Sequence, residues 1–345
     1  MSNFVQVHLL TSYPPSNLNR DDLGRPKTAR LGNAERLRVS SQSLKRTWRV
    51  SGLFEEALKG HLGTRTKRLG ETIHNRLISS GIKEKDAKEW AGQIARRFGK
   101  LQKDGLYIEQ LAHIGPEEWQ ALDELTERLL TENRGPHDDE LNLLRKKPTA
   151  ADIALFGRML AAEPSYNVEA ACQVAHAFTV HRIVVEDDYF TAVDDLNRGD
   201  EDMGAGHIGE TGFAAGLFYS YVCIDRTLLD DNLRGDTELA DRALSALMEV
   251  IVKVAPRGKQ NSFGSRAYAS YALAELGTQQ PRSLSVAFLK PVQGEDQGME
   301  AIERIENQRE NFERVYGACA DDHYRFNALE GTGTLEELKR FVTQR

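Results

Sequence analysis

The stretch Asn19–Arg49 reads NRDDLGRPKTARLGNAERLRVSSQSLKRTWR, and its two halves differ in kind. The first half carries Gly24, Pro26 and Gly32, residues that punctuate loops. The second half supplies a helix start. Ser40 or Ser41 can cap a helix running through Leu44, Trp48, Leu53 and Leu58, although Gly52 weakens its later part. Before this stretch, Val5, Val7 and Leu9 alternate with Gln6 and His8, the pattern of a half-buried strand. With Pro14 and Pro15 added, the polar segment between strand and helix is too long for an ordinary connection, and loops of that length are usually functional or disordered.

Outward from there, Lys59 to Thr179 reads as helical. Trp90, Ile94, Phe98 and Leu101 recur at helical spacing within 84–103. Pro116 sits at a favoured first-turn position, ahead of Trp119, Leu122, Leu125 and Leu129. Residues 149–162 and 168–179 are read as two further helices, with a break at 133–137. Strand character returns at 181–185 and 217–224, separated by an acidic and then a glycine-rich stretch, which suggests a long hairpin arm. Helices are expected from Asp236 and over 298–315, strands over 267–274 and 284–289, and 335–342 closes the chain. Without its insertions the order is strand, helix, strand, strand, helix, strand. The expected fold class is therefore α+β, on a ferredoxin-like, RRM-like plan.

Charge is unevenly distributed. The net charge of −7 argues by itself against nucleic acid, but a groove that tracks phosphates needs only a local excess of base. Ser16 to Val50 holds nine bases against three acids, and Val250 to Ala274 holds four bases and no acid. Glu186 to Asp202 holds eight acids and one base. No long apolar run is present to span a membrane, and no secretory leader is evident, so a cytoplasmic location is expected. Cys172, Cys223 and Cys319 lie far apart with no C-x-x-C pair, which fits reduced, buried thiols and no thiolate zinc site.

The physical content of Asn19–Arg49 is an anion site. A helix start at Ser40 presents unpaired N–H groups, Gln42, Lys45 and Arg49 recur on one helix face, and Arg20, Lys27 and Arg38 reach in from the preceding loop. Such contacts hold a sugar-phosphate backbone without reading its sequence. The plainer alternative is a solvated basic helix with an ordinary cap.

The run Leu18-Asn19-Arg20-Asp21-Asp22, followed by Arg38-Val39-Ser40-Ser41-Gln42-Ser43-Leu44-Lys45-Arg46, resembles the N-terminal signature of the backbone subunit of the type I-E CRISPR Cascade surveillance complex. Phe190 to Leu196, Asp152 to Met159 and Gly258 to Gln260 resemble further stretches of that family, and the C-terminal quarter matches in layout only. The resemblance implies an RRM-like palm (residues 1–58, 180–189 and 217–345), inserted helical fingers (59–179) and a β-hairpin thumb (190–216). It implies a non-catalytic subunit that polymerises along a guide RNA (crRNA), contacts further copies of itself and other Cascade subunits, and presents the guide for pairing with target DNA. No cofactor and no metal are expected.

Carried over residue by residue, the resemblance gives RNA-contacting roles to Asn19, Arg20, Lys27, Arg38, Ser40, Gln42, Lys45, Arg46, Arg49, Lys259 and Gln260. Met159, with Arg158 beside it, matches a finger position that wedges between bases; the alternative is a core methionine. His207 lies in the glycine-rich arm and is a further candidate RNA contact. The acids of 186–202 are read as pairing with a basic surface of the next subunit.

Enzyme readings are weaker. His176 and His181 are five apart and no H-E-x-x-H occurs. Gly204 to Gly209 spells G-x-G-x-x-G but lacks the strand before it and helix after it that a dinucleotide site needs. A metal-dependent RNase using the acidic arm is the alternative function. The aromatic run Gly212 to Tyr219 only loosely resembles an RRM ribonucleoprotein motif.

Overall fold

The computed structural model describes residues 4–103, 105–192 and 207–345. In chain order the first elements are β1 (Phe4–Ser16), β2 (Thr28–Leu31), β3 (Ala34–Val39), α1 (Ser41–Arg49) and α2 (Gly52–Ala57). Then come β4 (Thr64–Thr66), α3 (Leu69–Ser79), α4 (Glu84–Arg96), β5 (Ala112–Ile114), α5 (Pro116–Glu132) and α6 (Ala151–Phe156). Next are β6 (Cys172–Val174), β7 (Ala177–Thr179), β8 (Glu186–Ala192), β9 (His207–Asp225), α7 (Arg226–Asn232) and α8 (Thr237–Lys253). The last are α9 (Gln260–Phe263), β10 (Tyr271–Gly277), α10 (Gln297–Tyr316), β11 (Asp322–Asn327) and α11 (Leu335–Val342). The chain is a mixed α/β protein.

Two compact units emerge. One comprises residues 1–51, 174–223 and 247–345; the other comprises 52–173 and 224–246. The sequence had placed the helical insertion at 59–179. The unit instead begins at Gly52, where the helix after Ser40 breaks into α1 and α2, and it takes in 224–246 from a later part of the chain.

The first unit is built on a sheet whose strands run β11-β10-β1-β9-β7-β3-β2. β1 pairs antiparallel with β10 from Phe4↔Gly277 to Leu10↔Tyr271, and β7 pairs antiparallel with β9 through Phe178↔Tyr219. Leu10, Val180, Tyr219, Tyr271, Leu273, Phe288 and Ile305 pack into its core. β1 is enclosed on both faces rather than half-buried, so Gln6 and His8 are buried along with Val5, Val7 and Leu9. Their polar atoms are satisfied internally, as burial requires. The Tyr221 hydroxyl donates to Gln6 Oε1 at 2.9 Å, while His8 lies 2.9 Å from the Tyr219 hydroxyl and 3.2 Å from Glu275. Arg282 completes the cluster on Glu275.

The long polar segment after β1 contains a hairpin, β2 with β3, in the register Thr28↔Leu37 to Leu31↔Ala34. Further sequence expectations also change. Residues 168–179 carry β6 and β7 instead of a helix, because Ala177 and Phe178 find ladder partners in β3. Residues 284–289 form a short 3-10 turn over Ser285–Phe288, and β11, unforeseen in the sequence, pairs with β10 instead. No strand forms at 181–185; the arm begins at β8.

The second unit is mainly helical. Ile73 and Leu77 of α3, Ala91 and Ile94 of α4, and Leu122, Leu125 and Leu129 of α5 bury one shared core. Burying one such leucine contributes about 1.5–3 kcal/mol. Pro116 does open α5, and the Glu118 carboxylate reaches back to accept from the Gly115 N–H at 2.8 Å. Among the described residues no helix is long and apolar enough to cross a membrane, and all three cysteines are buried and outside any disulfide.

Candidate nucleic-acid interface

The segment that decided the sequence reading folds back on itself in the first unit. Ser40 is the cap of α1: its backbone is extended and its hydroxyl accepts from the Ser43 N–H at 3.3 Å. Asn19 Oδ1 accepts from the Ser40 N–H at 2.9 Å, which pins the preceding loop to the helix start. The Lys27 N–H donates to Asn19 O and the Arg38 N–H donates to Lys27 O, each at 2.8 Å. These backbone bonds bring Asn19, Lys27, Arg38 and Ser40 into one constellation, although the sequence spreads them over two strands and a loop.

Helix α1 is amphipathic. Leu44, Thr47 and Trp48 are buried, Gln42 and Arg46 are exposed, and Lys45 and Arg49 are half-buried. The first turn has no acid, so nothing in it competes for an anion, while Arg46 and Arg49 lie in the last turn.

Beside α1 is a recess of about 580 Å³ whose lining includes Asn19, Arg20, Asp21, Asp22, Arg46 and Arg257. Asp21 has a structural duty here as well as a charge. One of its carboxylate oxygens accepts from the Leu23 and Arg25 N–H groups, both at 2.9 Å, and is engaged in closing the turn. Arg257 was counted among the bases of the second loop but not among the candidate contacts. It belongs here: its guanidinium donates to Val50 O at 2.9 Å while the side chain lines the recess. Gly258 makes the approach possible, since a Cβ there would lie 2.2 Å from Leu18 O. The glycine is required because two basic loops touch backbone to backbone.

His176 is a second residue that spacing did not reveal. The sequence weighed it only as a metal ligand. Its Nδ1 lies 2.8 Å from Arg38 Nη1, and its pKa is lowered by burial and by the charges of Arg38 and Lys27. A neutral ring therefore accepts from Arg38 and fixes that guanidinium beside Lys27. Its signal was invisible in sequence because 138 residues separate the two side chains.

Lys259 and Gln260 come to the same region with different roles. Lys259 Nζ donates to Thr211 Oγ1 at 2.9 Å. The Gln260 amide turns inward, donating to Pro256 O at 2.8 Å and to Ser265 Oγ at 3.1 Å. Gln260 thus shapes the loop and presents no amide N–H to a ligand.

The helical unit carries the remaining finger candidates, and they separate. Met159 is 73% exposed, so the core reading of it is excluded. Arg158 is corrected. Its side chain is fully enclosed, paired with Glu118 at 2.8 Å and donating to Arg145 O and Tyr166 O, which leaves no face for a nucleic acid. The two differ because α6 stops at Gly157, whose φ of +80° turns the chain. Residues 152–159 are therefore not one helix.

In the arm, β8 pairs antiparallel with β9 from Glu186↔Phe213 to Ala192↔His207. His207 has a place in that ladder. The acids Asp194, Asp195, Asp200, Glu201 and Asp202, and the glycines Gly204 and Gly206, lie outside the described residues. Asp187 has a partner within its own chain, Arg25 at 3.0 Å. Among the described residues no group of three or more His, Cys, Asp or Glu side chains could hold a metal ion.

The sequence matches the CT1975-like protein family over residues 5–343. Two solved structures are similar to the chain over 99% of both lengths. A chain of a structure described as "CRISPR RNA-guided surveillance complex, pre-nicking" is 29% identical with a TM-score of 0.83. A chain of a second "CRISPR RNA-guided surveillance complex" is 26% identical with a TM-score of 0.74. No curated protein matches the sequence.

Proposed function

Because the chain belongs to the CT1975-like protein family, we propose that it is the guide-RNA-binding backbone subunit of a CRISPR surveillance complex, of the type I-E Cascade kind. The observation that carries this is the recess beside α1. Arg20, Arg46 and Arg257 converge there from a loop, a helix and a second loop, outnumbering the two carboxylates of the lining, Asp21 and Asp22, of which Asp21 also closes a turn. Three convergent guanidiniums in an open recess suit a sugar-phosphate backbone, which asks for charge and shape and not for base edges.

The order β10-β1-β9-β7, with α1 after β1 and α8 between β9 and β10, supports a ferredoxin-like, RRM-like palm. β8 with β9 is then the thumb, and the helical unit, with Met159 exposed, the fingers. In this reading several copies line up along one crRNA beside other Cascade subunits in the cytoplasm, leaving bases free to pair with target DNA. The subunit itself does no chemistry.

The test is isolation of the protein expressed with its neighbouring genes, followed by sizing of the bound RNA. Discrete short RNA, with complementary RNA left intact, is the expected result. Absence of bound RNA overturns the proposal, and cleavage of complementary RNA that is lost on Asp→Ala change at 194, 195, 200 or 202 replaces it with the RNase reading.

A further inference from the structure

The root of the β8–β9 arm is held on both faces by the two loops that line the recess. On one face, Arg25 pairs with Asp187 at 3.0 Å, and Gly212 is so close to Pro26 that a Cβ would lie 3.2 Å from its Cδ. On the other, Lys259 donates to Thr211, and the Phe213 ring packs against Phe263 with centroids 5.9 Å apart. The faces are opposite because Thr211 and Phe213 alternate with Gly212 along β9.

One side chain joins the recess wall to the arm directly. Asn17 is wholly buried. Its two amide hydrogens serve two carbonyls, Gly24 O at 3.0 Å and Gly212 O at 2.9 Å. Gly24 closes the turn that carries Arg20 and Asp21 into the recess; Gly212 is in the arm. Only an amide can do this. Asp has the same shape but would set an oxygen against two carbonyl oxygens.

We infer that Asn17 is a positioning residue that couples the grip on the RNA backbone to the setting of the arm, so that occupying the recess stiffens the arm's root. The inference rests on the proposed RNA-binding function. A ligand that orders the turn at 20–24 removes motion from Gly24 O, and through Asn17 from Gly212. Coupling is reciprocal, so fixing the arm tightens the recess by the same factor.

Amide hydrogen exchange of the intact chain, free and with a single-stranded RNA oligonucleotide, tests it. In the wild type, RNA slows exchange at both 20–27 and 207–213, by about tenfold at the second segment, within the usual range of coupling. In Asn17→Asp the slowing at 20–27 persists and that at 207–213 is lost. The exchange of Arg25 and Asp187 (R25D with D187R) keeps an ion pair across the same gap and preserves the slowing at 207–213, whereas R25D alone reduces it. Equal slowing at 207–213 in the wild type and in Asn17→Asp overturns the inference while leaving RNA binding standing. So does a wild type that responds only at 20–27. A wild type that responds at neither segment overturns the RNA reading and the coupling with it. If Asn17→Asp exchanges faster throughout the sheet in the absence of RNA, Asn17 serves stability alone and the inference fails.

Discussion

At the residue scale, chemically similar side chains have unlike duties. Arg158 and Arg46 are both arginines flagged by sequence, yet one is enclosed with Glu118 and the other lines an open recess. Removing one partner of a buried pair leaves an uncompensated charge, so Arg158→Ala is expected to destabilise the protein by about 3–5 kcal/mol in urea unfolding. Arg46→Ala should leave stability nearly unchanged. Ser40→Ala should cost about 1 kcal/mol through loss of the cap, read by the same measurement.

The buried cluster around β1 gives a pH prediction. Burial works against the Glu275 carboxylate, but hydrogen bonds from His8 and Arg282 outweigh it and hold the group at about 2. Burial lowers His8 below its ordinary 6.5, so its ring is neutral and Nε2–H donates to Glu275. Both groups bind protons more readily when unfolded, so stability rises with pH across these ranges. It is complete above about 6.5, falls first as unfolded His8 protonates, and falls further between 4.5 and about 2 through Glu275. Glu275→Gln should remove the second fall, seen as a flattened stability–pH curve over that range.

At the scale of elements, α1 and its preceding hairpin form one binding device. Each phosphate contact made by a base contributes to the salt dependence, with a slope of about −0.7 per contact for a single strand. Neutralising Arg20, Lys45 and Arg49 together should therefore abolish RNA retention at moderate salt. Arg257→Ala alone should make the plot of log affinity against log salt shallower by about 0.7. Fluorescence titrations over a range of salt check both. If the triple variant retains RNA as the wild type does, the loop and α1 are not the binding device.

At the scale of the whole molecule, the acidic segment bears on assembly. Asp187 is engaged with Arg25 of its own chain, which weakens the idea that every acid of 186–202 reaches another copy. Asp194 and Asp195 keep that role in the proposal, and changing both to Lys should reduce the size of RNA-bound assemblies in sedimentation. Unchanged assembly would count against it.

What the sequence determined by itself was local. Period and caps placed α5, α8 and α10 close to their observed ends and found where α1 and α4 begin, because helices are held by contacts three and four residues apart. Charge clustering and the Ser40 cap located the basic segment for the same reason. The tertiary structure alone decided the rest. β2, β3, β7 and β11 are short, and their ladders depend on partners far away in the chain. His176 beside Arg38, Arg257 in the recess and Asn17 between turn and arm are likewise juxtapositions across long separations. No local pattern encodes them, because backbone pairing and burial select them only once the sheet is assembled.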